Sequence, residues 1–297
     1  MWAEPPRDGS LSAEVATWSR RTRFELVRQV PLAFPTHHPQ GLAVVGERIF
    51  LSTVELSGRG HVLVLDPGGT LIADVHVGGD SVYHPGGIDV AGGLVWVPVA
   101  EYRPESRSMV YTIDPNTLEA RARFSVDDHV SWLAGDAETG ELYGASWGSR
   151  RFYRWTLGNG LTGEGGGPAD ASSVETWDNP SAYVDFQDAQ YDGGGRLLCG
   201  GVAELRDARG EAFELGGIAV VRPSERRLTA EVPVPAFSPA GHTIMRNPFV
   251  LTRDAEGTLL HVAPDDGDEA FGTKLLTYRI RHDPRRAPRS GKLRTLT

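Results

Sequence analysis

The sequence predicts an all-β fold, a five-bladed β-propeller, and three observations support this prediction. Short apolar runs that begin with a polar residue recur about every 40 to 60 residues, a period typical of propeller blades. Each run is followed by a tight turn and a second apolar run, as in a β-hairpin. Alternating segments separated by turn sequences then follow in most units. The five first runs are HPQGLAV from His38, HPGGIDV from His84, HVSWLAG from His129, DFQDAQYD from Asp185 and NPFVLTRD from Asn247.

The second runs and the outer segments complete each predicted blade. The turn sequences DPGG, DPNT and RPSE lie between alternating segments and predict outer hairpins. The second strands are RIFLSTVE ending at Glu55, LVWVPVAE ending at Glu101, ELYGASWG ending near Gly148, RLLCGGVAE ending at Glu204 and TLLHVAPD ending at Asp265.

The fifth unit lacks a fourth strand, and the N-terminal segment FELVRQVPL (24–32) has no partner of its own. We therefore predict that this segment is the outermost strand of the fifth blade, a closure that removes free sheet edges. A six-bladed propeller is the alternative, but neither of the two longest intervals, 129–185 and 185–247, contains an extra inner hairpin. The predicted organisation is an N-terminal arm (1–23), a single propeller domain (24–283) and a basic C-terminal tail (284–297).

Composition excludes several classes of function. The net charge of −9 argues against a nucleic acid or an anionic membrane as partner, because both select for Lys and Arg. Cys199 is the sole cysteine, so no intramolecular disulfide is possible, and its apolar strand predicts an inert core position. Residues 1–20 lack the apolar segment of a signal peptide, and no run of 18 apolar residues occurs. We expect a soluble cytoplasmic protein, a monomer or weak oligomer that acts on a small molecule.

The repeat places two rings of polar residues on one face of the propeller. The innermost strand of a blade starts, and the second strand ends, on the same face, so both rings should line a common funnel. The first ring is His38, His84, His129, Asp185 and Asn247, and the second is Glu55, Glu101, Glu204 and Asp265, with Trp147 and Gly148 in the third blade's place.

Three imidazoles and a carboxylate form a suitable set of ligands for a divalent transition metal. We predict that His38, His84 and His129, with Asp185, bind such an ion. Imidazole is a poor ligand for Ca²⁺, so Zn, Mn, Fe or Cu is expected instead. The alternative is that these polar residues only satisfy strand ends around a water-filled channel.

Further candidates lie beside the rings. The predicted catalytic groups are the acids of the second ring and two histidines suited to proton transfer, namely Glu55, Glu101, Glu204, His37 and His242. Aromatic, cationic and polar residues suited to an organic substrate are Tyr83, Tyr102, Arg103, Trp147, Arg246, Asn247 and Asp265. Structural roles are expected for Trp132, Phe186, His61, His76, His261 and His282, and a flexible loop is expected for the glycine-rich segment 158–167.

The inner strands HPQGLAV and HPGGIDV, followed by strands that end in Glu55 and Glu101, resemble the propeller superfamily of gluconolactonases, paraoxonases and strictosidine synthase-like proteins. The resemblance implies an ion on the propeller axis, which in that superfamily is calcium held by Glu, Asn and Asp, and it implies lactonase chemistry. This chain departs from the superfamily in having five predicted blades and three His at the ligand positions. It also resembles uncharacterised bacterial five-bladed propellers, which would imply the fold and no function.

These observations favour a metal-dependent hydrolase that acts on an ester, lactone or similar carbonyl through a metal-bound water. A metal-dependent lyase or an oxygenase is compatible with the same ligands, because the residues do not distinguish zinc from redox-active iron. A non-enzymatic propeller that binds a ligand or a protein remains a third hypothesis.

Overall fold

The computed structural model describes residues 10–157, 160–162, 171–181 and 183–281. Within these ranges the chain forms 21 β-strands and one short α-helix. The strands form five antiparallel sheets, which confirms the predicted five-bladed propeller. In the same ranges there is no helix with the length and apolar character needed to cross a membrane.

The first two blades are built from contiguous stretches of chain. Blade 1 consists of β2 (His38–Val45), β3 (Arg48–Glu55), β4 (Arg59–Leu65) and β5 (Leu71–Val77). In blade 2 the innermost strand is interrupted, and both of its parts pair with the second strand. Blade 2 consists of β6 (Val82–Pro85), β7 (Asp89–Ala91), β8 (Leu94–Glu101), β9 (Ser108–Ile113) and β10 (Ala120–Val126).

The next two blades repeat this order. Blade 3 consists of β11 (Trp132–Asp136), β12 (Glu141–Ala145), β13 (Arg151–Leu157) and β14 (Ala171–Asp178). The glycine-rich segment 158–167, expected to be a loop, lies outside the described residues except at 160–162. Blade 4 consists of β15 (Asp185–Tyr191), β16 (Leu197–Arg206), β17 (Ala212–Arg222) and β18 (Arg227–Pro233).

Blade 5 joins distant parts of the sequence. Its inner strands are β19 (Phe249–Asp254), β20 (Gly257–Val262) and β21 (Lys274–Arg281), and its outermost strand is β1 (Arg23–Pro31). The β1 strand runs antiparallel to β21, with Arg23 opposite Arg281 and Pro31 opposite Lys274. The predicted closure of the ring by the N-terminal strand is therefore confirmed.

A short helix, α1 (Ser10–Val15), lies within the range predicted as an N-terminal arm. Its side chains Leu11 and Val15 are fully buried, as is nearly all of Trp18. These residues belong to the apolar cluster that also contains Ile218 of blade 4 and Leu251 of blade 5. The segment from 10 to 18 therefore packs into the core between these two blades. The predicted basic tail, 284–297, and His282 lie outside the described residues.

Apolar side chains fill the spaces between neighbouring blades. Trp132 and Phe186 are fully buried in the cluster between blades 3 and 4, as predicted. Cys199 is buried in the same cluster, and burial raises the pKa of its thiol well above the usual value, so it remains a neutral core residue.

Polar side chains of the innermost strands link the blades across the propeller axis. The buried carboxylate of Asp188 on β15 accepts hydrogen bonds from the backbone N–H groups of Leu42 on β2, at 3.1 Å, and Phe249 on β19, at 3.3 Å. Its second oxygen accepts the N–H of Ala189 at 2.9 Å. Asp89 of blade 2 accepts the N–H of Tyr191 at 3.1 Å, which joins it to blade 4. The centre of the propeller is therefore tied together by carboxylate–backbone hydrogen bonds.

Candidate functional site

The predicted first ring lies where the innermost strands begin. His38 and Asp185 are the first residues of β2 and β15, and His84 lies within β6. His129 and Asn247 occupy the segments just before β11 and β19. The strand bounds thus place all five residues at the same end of their blades.

Four of these residues line one cavity of about 610 Å³, which we call the axial cavity. They are His38, His84, His129 and Asp185, the four predicted metal ligands. Three further predicted residues line the cavity, namely Tyr102, Trp147 and Glu204. Its other lining residues include Gln40, Ser131, Gly148, Tyr183 and Gln187.

His84 and His129 are close neighbours in the axial cavity. Their ring centroids lie 5.3 Å apart with an interplanar angle of 43°. Two imidazoles that bind one tetrahedral ion through their nitrogens have centroids about 5 Å apart, because each centroid lies about 3.2 Å from the metal. The spacing of this pair therefore suits a shared ion.

Hydrogen bonds orient two of the three imidazoles. The Nδ1 of His129 lies 3.0 Å from the carbonyl oxygen of Glu101 and 3.2 Å from that of Arg103, so this nitrogen carries the proton and donates it. The Nδ1 of His38 lies 2.6 Å from Oδ1 of Asp266, which favours the same tautomer. Each ring then presents Nε2 with its lone pair. A carbonyl or carboxylate partner on the far nitrogen is the usual environment of a metal-binding His.

The imidazoles of His84 and His129 are held in the neutral form. Burial lowers the pKa of His84 well below its usual value, and the proximity of His129 and His38 lowers it further. Burial also lowers the pKa of His129, although its two carbonyl partners oppose this effect. Neutral imidazoles can bind a metal ion without first losing a proton. The Nδ1 of His84 is buried without a hydrogen-bond partner.

The complete triad is more widely spaced than a formed metal site. Two groups of three metal-ligating side chains in the described residues have ligand atoms within 4.8 Å of one another, and His38, His84 and His129 are not one of these groups. The three histidines therefore do not have the mutual spacing of ligands around one ion in this structure. The register of the repeat determines the end of the blade at which a side chain lies, but it does not determine how far the side chain reaches toward the axis.

Aromatic side chains form one wall of the axial cavity. Tyr102 stacks on His84 with centroids 4.2 Å apart and an interplanar angle of 12°. Trp147 meets the ring of His129 edge to face at 4.6 Å. Both aromatic side chains are partly exposed, which leaves apolar surface for a ligand. Asp185, which lines the same cavity, forms an ion pair with Arg150, while burial raises the pKa of its carboxyl.

A second cavity of about 880 Å³, which we call the lateral cavity, adjoins the first at His38 and Tyr102. It is lined by the predicted catalytic residues His37 and Glu55 and by the predicted substrate residue Arg246. Predicted residues are thus found in two adjacent cavities.

The remaining predicted residues line neither of these two cavities. Glu101 accepts hydrogen bonds from Arg103, at 2.5 Å, and Arg107, at 3.1 Å. The imidazole of His242 lies between two carboxylates, 2.9 Å from Glu269 and 3.3 Å from Glu214. The structure therefore places these groups in local ion-pair networks. Asn247 and Asp265 are buried, and Tyr83 is half-buried.

Residues that the sequence did not identify complete the surroundings of the site. Asp266 orients His38, whereas the sequence analysis identified only its neighbour Asp265. Asp188 and Asp89 occupy the axis beneath the funnel. Asp188 is the fourth residue of β15 and Asp89 is the first residue of β7, so a carboxylate inside or beside an innermost strand is the signal that could have identified both.

Two solved structures are similar to this chain, and the likeness to the first agrees with the fold. The major allergen Mala s 1 of Malassezia sympodialis matches with a TM-score of 0.53 and 10% identity, over 84% of this chain and 96% of that chain. A calcium-binding protein of Agrobacterium tumefaciens, regucalcin, matches with a TM-score of 0.44 and 10% identity, over 88% of this chain and 97% of that chain. At this identity a structural likeness shows the fold alone.

No curated protein matches the sequence. The model of the DUF6454 family, described as a family of unknown function, matches residues 9–280. This range includes α1 and all five blades except the last residue of β21. The chain therefore belongs to the DUF6454 family.

Proposed function

We propose that this protein is a metal-dependent hydrolase that acts on a small ester, lactone or similar carbonyl compound in the axial cavity. The observation that carries the proposal is the arrangement of His38, His84 and His129 in one cavity, two of them with Nδ1 hydrogen-bonded so that Nε2 is available as a ligand. Asp185 lines the same cavity and is the fourth candidate ligand.

The donor set fits zinc, manganese or iron better than calcium. His84 and His129 have the spacing of ligands that share an ion, and at least one of the three imidazoles must reorient to complete the set. A divalent ion held there would supply Lewis acidity for a substrate carbonyl and for water.

The protein's own side chains supply orientation and proton transfer. Tyr102 and Trp147 provide an aromatic wall against which the apolar part of a substrate can pack. Asp185 lies in the same cavity, and its raised pKa suits exchange of a proton near neutral pH more than an ordinary carboxyl would. Arg150 opposes this rise through its ion pair with Asp185. We therefore assign Asp185 the alternative role of proton acceptor.

The test is hydrolysis of a panel of esters and lactones by protein stripped with chelator and reloaded with ZnCl₂, MnCl₂ or ferrous salt. We expect activity only after reloading, and we expect its loss in His84→Ala and His129→Ala. His76→Ala is the matched control, because His76 is exposed on the outermost strand of blade 1. Parent-like activity in both axial variants, or activity that persists in the stripped protein, would refute the proposal.

The same experiment separates the alternatives. Activity with iron that consumes oxygen would support the oxygenase hypothesis, because zinc cannot undergo redox change. Failure of the stripped protein to take up any of the three metals in the axial cavity would favour a propeller that binds its ligand without an ion.

A further inference from the structure

A second group of metal-ligating side chains lies on blade 1, outside the axial cavity. It consists of His37, directly before β2, Glu55, the last residue of β3, and His61 on β4. One ligand atom from each residue lies within 4.8 Å of the ligand atoms of the other two. The group is therefore more compact than the axial triad.

His61 is buried and has one nitrogen without a hydrogen-bond partner. Its side chain is 6% exposed, and its Nδ1 lies 2.9 Å from Oδ1 of Asp74. Because Asp74 is a carboxylate, Nδ1 donates its proton to it, and in the neutral imidazole Nε2 then carries a lone pair. This Nε2 is buried, makes no hydrogen bond and lies 3.7 Å from Oε2 of Glu55. A lone pair thus faces a carboxylate, an arrangement that a cation between the two atoms would stabilise.

The spacing of these atoms suits such a cation. Nitrogen and oxygen ligands that bind one metal at about 2.0–2.2 Å lie about 3.0–3.6 Å from each other. The observed 3.7 Å between His61 Nε2 and Glu55 Oε2 is close to this range. A hydrogen bond from Ser57 lowers the pKa of Glu55, which keeps this ligand ionised.

His37 is positioned against the pair by its backbone. Its φ of 52° lies in the left-handed region, which is uncommon for a residue other than glycine. Its carbonyl oxygen accepts the N–H of Gly267 at 2.7 Å, which fixes this conformation. The imidazole ring then stacks on His61 with centroids 5.2 Å apart.

We propose that His37, Glu55 and His61 form a second metal site, which binds a divalent transition ion and leaves its open positions toward the lateral cavity. Two His and one carboxylate form a donor set used for zinc and for non-haem ferrous iron. Asp74 orients His61 from behind, as carboxylates commonly do for metal-binding His. His37 and Glu55 line the lateral cavity, so a ligand there can reach the ion.

A competing group of His61, Asp74 and His76 shares one residue with the proposed site. Asp74 and His76 are exposed, and the proton on His61 Nδ1 is already donated to Asp74. Substitution of His76 therefore distinguishes the two groups.

The test is titration of chelator-stripped protein with CoCl₂, followed by visible absorption and by metal analysis after dialysis. The background is the double variant His84→Ala and His129→Ala, which disables the proposed axial centre and makes the result independent of the hydrolase proposal. We expect this variant to retain one equivalent of cobalt. Glu55→Gln and His61→Gln should each weaken binding by about 100-fold or more, and Asp74→Asn by about 10–100-fold.

His76→Ala is the control and should bind cobalt as its parent does. Circular dichroism would reveal whether the buried His61→Gln variant fails to fold. In that case Glu55→Gln still provides the test, because Glu55 is partly exposed. Absence of cobalt binding in the double variant, parent-like affinity in Glu55→Gln, or loss of binding in His76→Ala would each overturn the proposal.

Discussion

The side chain of Asp188 offers a direct test of how the propeller axis is held together. In Asp188→Ala, the backbone N–H groups of Leu42 and Phe249, which come from two other blades, lose their acceptor in the buried centre. Each buried donor left unpaired costs about 1–3 kcal/mol, so the two interblade bonds predict a loss of about 2–6 kcal/mol. This is a large part of the stability of an ordinary domain, about 5–15 kcal/mol.

The cost of burying the carboxylate reduces this loss. Burial raises the pKa of Asp188 well above its usual value, which means that the ionised form is disfavoured in the core, although the three backbone donors oppose the shift. Removing the group relieves that cost, so we expect a loss in the lower half of the range, about 2–4 kcal/mol. Asp188→Asn retains one oxygen acceptor and should lose less than Asp188→Ala.

Urea unfolding at pH 7, followed by tryptophan fluorescence and circular dichroism, measures the change. Asp207→Ala is the matched control, because Asp207 also accepts two backbone N–H groups, from Arg209 and Glu211, in an exposed turn where water can replace it. We expect the control to lose less than about 1 kcal/mol. If Asp188→Ala unfolds within about 1 kcal/mol of the parent, the axis is not held by this carboxylate and the reasoning fails.

Three further predictions concern a buried His, the N-terminal helix and the axial cavity. Burial lowers the pKa of His261 to about 3, so its contribution to stability is complete above pH 6.5 and decreases as the pH falls. Between pH 6.5 and 5 the free energy of unfolding should therefore fall by about 2 kcal/mol less in His261→Gln than in the parent, as measured by urea unfolding. Leu11→Ala should lower the free energy of unfolding by about 2–5 kcal/mol, whereas the exposed Leu56→Ala should change it by less than about 0.5 kcal/mol. Asp266→Asn should weaken zinc binding by His38 and its partners about 10–100-fold, measured by calorimetry.

Each of these predictions has a result that would contradict it. An unchanged pH dependence in His261→Gln would show that another group causes the acid sensitivity. Equal losses in Leu11→Ala and Leu56→Ala would mean that α1 does not contribute to the core. For the axial cavity, Asp268→Asn is the control. Asp268 is exposed in the same loop, and none of the hydrogen bonds of the described residues joins it to His38. Equal zinc affinity in Asp266→Asn and Asp268→Asn would exclude the orienting role.

The fold could be predicted because the sequence repeat indicates where each blade begins. His38 and Asp185 begin inner strands, His84 lies within one, and the alternating segment at 24–32 is left without a partner unless it closes the ring. The helix α1 was not predicted, because six residues in a polar surrounding carry too little periodicity to reveal packing against blades that are distant in sequence.

The candidate site could be predicted only in part. Strand register identified the residues that surround the axial cavity, but the partners of His38 and the separation of the three imidazoles depend on loops and on the approach of different blades. His61 was assigned a structural role because it lies on the third strand of its blade. Since β4 runs antiparallel to β3, its first residues share the end of the blade where Glu55 lies, which brings His61 close to Glu55.

The pairing of β1 with β21 has a consequence for the order in which the protein can form during translation. Blades 1 to 4 each consist of contiguous chain and can assemble as they leave the ribosome, whereas β1 must wait for a partner about 240 residues later. At about 5–20 residues per second, this interval lasts about 12–50 s. During that time β1 is an unpaired strand, and the charges of Arg23, Glu25 and Arg28 reduce its tendency to pair with another nascent chain. The ring is thus the last feature of the molecule to be completed.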